Sequence, residues 1–194
     1  MFQRLLLISY AIIWLLLAIQ PRYRDDWLLE NLLVFAALPV LFWLHRRRPF
    51  SKSAAGLLWI FFVLHAIGAH YTYAQMPWLN ALADHFSWQR NHYDRLVHFL
   101  FGLLLFRPLQ EQLAATFHRS TPRLVVTLLI LFSASGVYEI VEWLATEWTH
   151  PELGIAFLGT QGDQWDAQKD MVLAHLGALL AAWIELHRYE KKAA

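Results

Sequence analysis

The sequence predicts an all-α, polytopic transmembrane helical bundle of about six helices with both termini cytoplasmic. Three observations lead to that class. Hydrophobic residues make up 58% of the 194 residues and charged residues only 16%, whereas a soluble domain carries about a quarter charged residues. Mean hydropathy is positive, at +0.35. The apolar residues fall in long runs without strand-type alternation. A bilayer admits only helices and closed barrels because every backbone polar group must be satisfied internally, and runs of this kind select helices.

Six runs approach the roughly 20 residues needed to cross: 5–19, 27–44, 54–74, 94–109, 123–145 and 167–187. The first follows Arg4, as a signal peptide would. It ends in Ala18-Ile19-Gln20-Pro21, with no small-x-small cleavage pattern, and reads as a retained helix. In the fourth, Arg107 is expected to snorkel to the headgroups. Between the third and fourth runs, Trp78, Leu79, Leu82 and Phe86 are spaced to line one helical face, with Trp88 beyond. That pattern predicts an interfacial helix. Residues 146–165 hold Pro151, Gly154, Gly159 and Gly162 around Ile155-Ala156-Phe157-Leu158, a loop expected to dip over whatever lies beneath. No long linker, repeat or low-complexity segment interrupts the chain, so residues 1–194 are expected to form a single integral membrane domain.

Orientation follows from the basic residues. With both termini inside, Arg4, Arg46, Arg47, Arg48, Lys52, Arg107, Arg119, Arg123, Arg188, Lys191 and Lys192 lie on the cytoplasmic side. Arg22, Arg24, Arg90, Arg95 and Lys169 lie outside. The division is 11 against 5 of the 16 basic residues, in the sense of the positive-inside rule. A net charge of +1 gives no reason to expect a nucleic-acid partner, and the absence of cysteine excludes disulfides and thiol chemistry.

This topology gathers the ionisable residues. Asp94 and His98 are four apart at the outer end of the fourth helix, and Glu139 and Glu142 three apart near the outer end of the fifth. Asp163, Asp166 and Asp170 form one stripe at i, i+3 and i+7 if the segment entering the sixth helix is helical. At about 1.5 Å per residue, His98 and Asp170 lie about 6 Å inside their helix ends and Glu139 about 24 Å from Arg123. All three depths meet in one outer-leaflet layer. Gly102, Gly136 and Gly177 fall on the same faces and permit close helix approach.

Each piece alone has a bland reading. Asp94 suits a helix N-terminus, Glu139 and Glu142 could meet headgroups beside Trp143, and Asp163 and Asp166 could cap the sixth helix. His65 and His70, five apart and so on different faces, read as packing or interfacial residues, with one of them able to border the pocket, and His175 lies off the Asp170 stripe. Together the acids demand more. A carboxylate at the bilayer centre costs about 2.5–3.5 kcal/mol on insertion scales. Protons, Arg95 and Lys169, or a bound cation must neutralise the group. Oxygen ligands suit Mg²⁺, Mn²⁺ or Ca²⁺, and the imidazole adds Zn²⁺ or iron.

The segments Asn91-His92-Tyr93-Asp94-Arg95-Leu96-Val97-His98-Phe99, Tyr138-Glu139-Ile140-Val141-Glu142-Trp143 and Phe157 to Met171, which reads FLGTQGDQWDAQKDM, resemble the YjdF family of bacterial inner-membrane proteins. The resemblance covers about half the chain, from the fourth helix onward. Lys169 stands where the family is expected to carry an aromatic residue. The order of elements is distantly similar to VanZ-like proteins, which are linked to glycopeptide resistance. The resemblance implies an inner-membrane location, the topology and the position of the site, and names no reaction.

Two function classes fit these residues, with a purely structural membrane protein as the third option. One is a metal-dependent enzyme acting at the outer leaflet on a lipid headgroup or a lipid-linked or glycan precursor. Glu139, Glu142, Asp163, Asp166 and Asp170 would supply metal ligands, with His98 as ligand or general base and Asp94 orienting it. The Asp-Gly-x-x-Ala-Arg element of CDP-alcohol phosphotransferases and the Ser-Gly-His element of lipid phosphatases are absent from the sequence. The alternative is a non-enzymatic binding protein or small proton- or cation-coupled carrier whose carboxylates titrate. In both, membrane lipids are the expected surroundings and a small or lipid-linked molecule the expected ligand.

Overall fold

The computed structural model describes residues 1–149 and 161–193. Pro151, Gly154, Gly159 and the 155–158 stretch, expected to dip over the site, lie outside the described residues. Those residues form seven helices: α1 (Phe2–Leu17), α2 (Arg24–Arg47), α3 (Lys52–Tyr71), α4 (Pro77–Phe86), α5 (Tyr93–Leu113), α6 (Ser120–Thr149) and α7 (Asp166–Ala193). Four are long and apolar enough to cross a membrane: α2, α3, Ser120–Ala145 of α6 and Asp166–Arg188 of α7. The apolar α1 is shorter, at 16 residues. Asp94, Arg95, His98, Arg107 and Glu111 dilute α5.

Local chemistry explains the boundaries. Ser51 caps α3, its Oγ accepting from the Ala54 N–H at 3.1 Å, as N-cap hydroxyls do. Thr72 and Ser87 end α3 and α4 in the left-handed region, at φ 54° each. Pro77 opens α4, where its missing N–H costs nothing. Along α4, Trp78, Leu82 and Phe86 are exposed on one face, consistent with an interfacial helix. Leu79 departs from the expected face. It turns with Ala83 into the core: at about 100° per residue it sits about 20° from Phe86 and about 40° from Ala83, at the border between the two faces.

Between lipid-embedded helices, close packing and hydrogen bonds replace the hydrophobic drive. The tightest contact is α5 on α7, where a Cβ at Gly102 would stand 1.9 Å from the Ala174 carbonyl oxygen and one at Gly177 2.0 Å from that of Phe99. Gly136, on α6, has only ordinary contact, its would-be Cβ lying 3.6 Å from Met171 Sδ. Phe61, Phe62, Ala66, Tyr93, Val97 and Leu104 join α3 to α5, and Phe106, Leu131, Ala178 and Ala181 join α5, α6 and α7. Leu7, Leu15, Phe42, Leu129, Val137, Leu176 and Trp183 point outward, as lipid-facing residues do.

The bundle has two distinct polar ends. At one, Ser51 Oγ donates to Glu111 at 2.6 Å, Gln112 donates to the Arg48 carbonyl at 3.0 Å, and Arg123 donates to Gln110 at 2.9 Å. At the other, Arg22 N donates to the His70 carbonyl at 2.9 Å, and His70 Nδ1 meets the Leu17 carbonyl at 2.7 Å. The sequence motifs of α5, α6 and α7 converge at this second end.

Candidate functional site

The N-terminus of α5 is fixed by Asn91. Its Nδ2 donates to the Met76 carbonyl at 3.0 Å and to Asn80 at 2.6 Å, and its Oδ1 accepts from the Tyr93 N–H at 3.0 Å. Gln161 pairs with the Asn91 backbone in both directions, at 2.8 and 2.9 Å. Gln161 and Gly162, at φ 47° and 87°, then turn the chain toward α7. A glycine takes such a backbone without strain.

Two groups of side chains result. In the first, His98 lies between carboxylates from two helices: Nε2 is 3.5 Å from Asp94 Oδ1, one turn back on α5, and Nδ1 is 3.5 Å from Glu139 Oε1 on α6. Asp170 joins from α7. One donor atom from each of Asp94, His98 and Asp170 lies within 4.8 Å of the others. Asp170 is 2% exposed, and its Oδ1 and Glu139 Oε1 have no hydrogen-bond partner. A buried acceptor left unmatched is costly, which marks the Asp170 oxygen as aimed at something, whereas Glu139 Oε1 faces His98 Nδ1. Glu142, half-buried, interacts with Glu139 and Tyr138.

In the second group, Asp163 and Asp166 meet cations. Arg90 Nη1 and Nη2 grip both carboxylate oxygens of Asp166, the latter at 3.2 Å. Arg95 Nη2 reaches Asp163 at 2.7 Å and Asp166 at 3.3 Å, and Lys169 Nζ reaches Asp163 at 2.5 Å. Asp163 is held below the usual carboxylate range, at about 2, by the Lys169 ammonium first, then by the Trp165 N–H and Arg95. His92 is pushed down by partial burial and then by Arg95 and Arg90.

The structure thus brings together Asp94, His98, Glu139 and Asp170, with Glu142 adjoining, and sets Asp163 and Asp166 in an ion-paired group beside them. The single aspartate stripe does not form. The chain turns at Gln161 and Gly162, α7 begins only at Asp166, and Asp163 precedes it. Sequence reasoning weighed Arg95 and Lys169 as neutralisers but missed Arg90. It also missed Glu30, 6% exposed on α2, which accepts from the Tyr138 hydroxyl at 3.1 Å. An acid inside an apolar run is the signal that could have found it.

Beneath His98 lies a cavity of about 110 Å³, lined by Leu33, Phe61, Val97, Phe101 and Ala134 and, on its polar side, by His65, Tyr73, His98, Ser135 and Tyr138. His65 is buried there, its Nδ1 meeting the Tyr73 hydroxyl at 2.5 Å and its Nε2 the Glu30 carbonyl at 3.2 Å. His70 belongs to the α1–α3 junction instead, and His175 stacks on Phe132 with ring centroids 3.9 Å apart.

The family model described as "Predicted membrane protein (DUF2238)" matches residues 2–191. The "Inner membrane protein YjdF" of Escherichia coli (strain K12) is 31% identical over 177 residues, covering 89% of this chain and 83% of the relative. No solved structure matches the chain. The apolar helices and this relationship make the chain a multi-pass inner-membrane protein.

Proposed function

The chain belongs to the family described as Predicted membrane protein (DUF2238), and from that premise we propose that it holds a divalent cation near the outer leaflet and presents it to the polar head of a membrane lipid or lipid-linked precursor. The observation that carries this reading is the convergence of Asp94, His98 and Asp170 donor atoms within 4.8 Å, with a buried Asp170 oxygen unmatched. A cation about 2.0–2.5 Å from each donor fits between atoms at such separations. Two carboxylates and an imidazole suit Zn²⁺, Mn²⁺ or iron, and the carboxylates also suit Mg²⁺ or Ca²⁺. Glu139 at His98 Nδ1 would fix the ring and leave Nε2, on the Asp94 side, to act as the ligand, as carboxylate partners of ligating histidines do. A cation there would polarise a phosphoryl or acyl oxygen or activate water. Asp163 and Asp166, paired with Arg90, Arg95 and Lys169, form a charged rim.

The orientation in this reading is six crossings, α1 and α5 included, with both termini cytoplasmic and the site outward. It is supported by the 11-to-5 division of basic residues and by the length of α5, about 31 Å for 21 residues.

A second reading, a titrating pocket of a binding protein or carrier, is favoured by Glu30 and Glu142, which bring further carboxyls to Tyr138. Thermal unfolding of the purified chain separates the two. With a resident cation, melting temperature rises with Mg²⁺, Mn²⁺, Zn²⁺ or Ca²⁺ and falls with chelator. The rise is lost in Asp170→Asn and on acidification, since the ligands must be deprotonated. Indifference to every cation and to chelator sinks the metal reading and leaves the titrating pocket.

A further inference from the structure

The cavity beneath His98 reaches residues of α2 and α6 that are exposed on the bundle surface. Eight of its ten lining residues are buried or half-buried, and the two exposed ones, Leu33 of α2 and Ala134 of α6, sit on facing helices. Around them the surface is apolar and outward-facing: Leu32, Phe35, Ile130, Val137 and Val141 are all exposed. The Tyr138–Glu30 hydrogen bond ties the same two helices together. Glu30 lies three residues before Leu33 and Tyr138 four after Ala134. Because α2 runs away from the polar end and α6 runs toward it, this bond crosses just above Leu33 and Ala134, on the side of the acid cluster. An opening between them is therefore barred toward the polar end and free toward the hydrocarbon. Inside, the Ser135 hydroxyl is 2% exposed and has no hydrogen-bond partner. It lies on the polar wall, one turn from Glu139.

We infer that the cavity is the chain-binding subsite of a membrane amphiphile, which enters laterally between α2 and α6 and offers Ser135 a carbonyl or hydroxyl oxygen at the junction of chain and head. The inference rests on the cation-site reading for the head, which it places beside His98, and adds the class of molecule: a bilayer-resident lipid with a hydrogen-bond acceptor at the base of its chain. Size agrees. An apolar cavity of about 150 Å³ accepts benzene, so about 110 Å³ admits a few carbons next to the head, with the rest of the chain trailing through the opening into lipid. Chemistry agrees as well. Phe61, Val97 and Phe101 offer no polar atom to the chain, and the one unmatched donor lies where an ester carbonyl would arrive. A buried unmatched hydroxyl is costly until a ligand satisfies it.

The test uses the full chain in vesicles of phosphatidylethanolamine and phosphatidylglycerol, with a phosphatidylglycerol probe carrying a diazirine near the carbonyl end of one acyl chain. After irradiation, adducts are mapped by mass spectrometry. Adducts are expected on Val97, which is buried, and on the half-buried Phe101 beside it in the cavity, besides the exterior adducts on Leu129 and Val137. Ala134→Trp, and independently Leu33→Trp at the other lip, should abolish the interior adducts and leave the exterior ones. Ser135→Ala should lower interior labelling about fivefold, the worth of one hydrogen bond, and Ser135→Thr should restore it. Interior labelling that is absent, or indifferent to both tryptophans, overturns the inference. So does interior labelling by a water-soluble hexanoyl diazirine but not by the lipid. Labelling is read with chelator present. Loss of the metal response in Asp170→Asn with interior adducts retained supports the subsite. Interior adducts missing from a chain that still responds to metal overturn it and leave the cation site standing.

Discussion

Gly102 of α5 and Gly177 of α7 interlock, so that a methyl on either would overlap the carbonyl of the residue three positions away from its counterpart, Ala174 at 1.9 Å or Phe99 at 2.0 Å. Backbone, not a flexible side chain, stands in the way, and neither helix can yield without moving as a body. Asp94 lies just over two turns and His98 about one turn from Gly102, and Asp170 about two turns from Gly177. This contact therefore sets the spacing of the candidate ligands.

The first prediction follows directly. Gly102→Ala should destabilise the chain by about 1–3 kcal/mol, as overpacking does. Gly56→Ala, where nothing lies within 4 Å, should be neutral or stabilising by up to about 1 kcal/mol through helix propensity. Thermal unfolding in detergent compares the two. Equal behaviour would mean that the α5–α7 contact is not as close as described.

A second prediction concerns Arg90 and Asp166, whose side chains are 8% and 4% exposed. Asp166→Asn removes the carboxylate charge gripped by a buried guanidinium that also lies 3.8 Å from Asp163. It should cost about 3 kcal/mol, the scale of breaking a buried pair. Arg90→Met combined with Asp166→Asn should recover much of that loss. A double-mutant cycle measures the coupling, and additive losses would refute the pairing.

Acid provides the third. The Asp163 carboxylate is held at about 2 by Lys169 and its other partners, against about 3.9 in an unfolded chain. A depressed value means stability that is fully present above the unfolded value and lost as pH falls toward the folded one. Between about pH 4 and pH 2 the wild type should lose stability that Asp163→Asn has already lost at every pH. Parallel acid profiles for the two would contradict the contact with Lys169.

Topology can be read with single cysteines, since the chain has none of its own. In the proposed orientation, Asp84→Cys on exposed α4 should react with an impermeant thiol reagent on intact cells. Ser53→Cys, exposed at the start of α3, should react only after permeabilisation. Equal reactivity at both positions would end the six-crossing arrangement.

Much of this fold and part of the site were legible from spacing. The apolar runs place the long helices to within a few residues, and Trp78, Leu82 and Phe86 announce α4, because burial and lipid exposure both leave periodic marks. The approach of Asp94, His98, Glu139 and Asp170 was legible for the same reason. Each lies on a regular helix at a depth that can be counted. What escaped was set by irregular backbone or hidden by company. Arg90 lies in a connection with no period, and its partner is identified only by the turn at Gln161 and Gly162. Glu30 follows Asp25 and Asp26 so closely that it reads as one more headgroup-facing acid, yet it turns inward to Tyr138. Leu79 shows the limit within a helix: its spacing suited the outer face, and packing against the core took it instead.

Arg90 and Asp166 are separated by 76 positions in sequence, and that distance has a consequence for biogenesis. In the proposed orientation, Arg90 emerges from the translocation machinery before the Asp166 carboxylate that will pair with it has been synthesised. The guanidinium must wait in water or among anionic headgroups while α5 and α6 are threaded. The Asn91–Gln161 clasp can form once the segment after α6 is made, but the arginine can pair with its carboxylate only when Asp166, the first residue of α7, arrives. The polar end is thus the last part of the molecule to mature. A chain truncated before Asp166 would leave a hydrated cation where the finished protein has a sealed one.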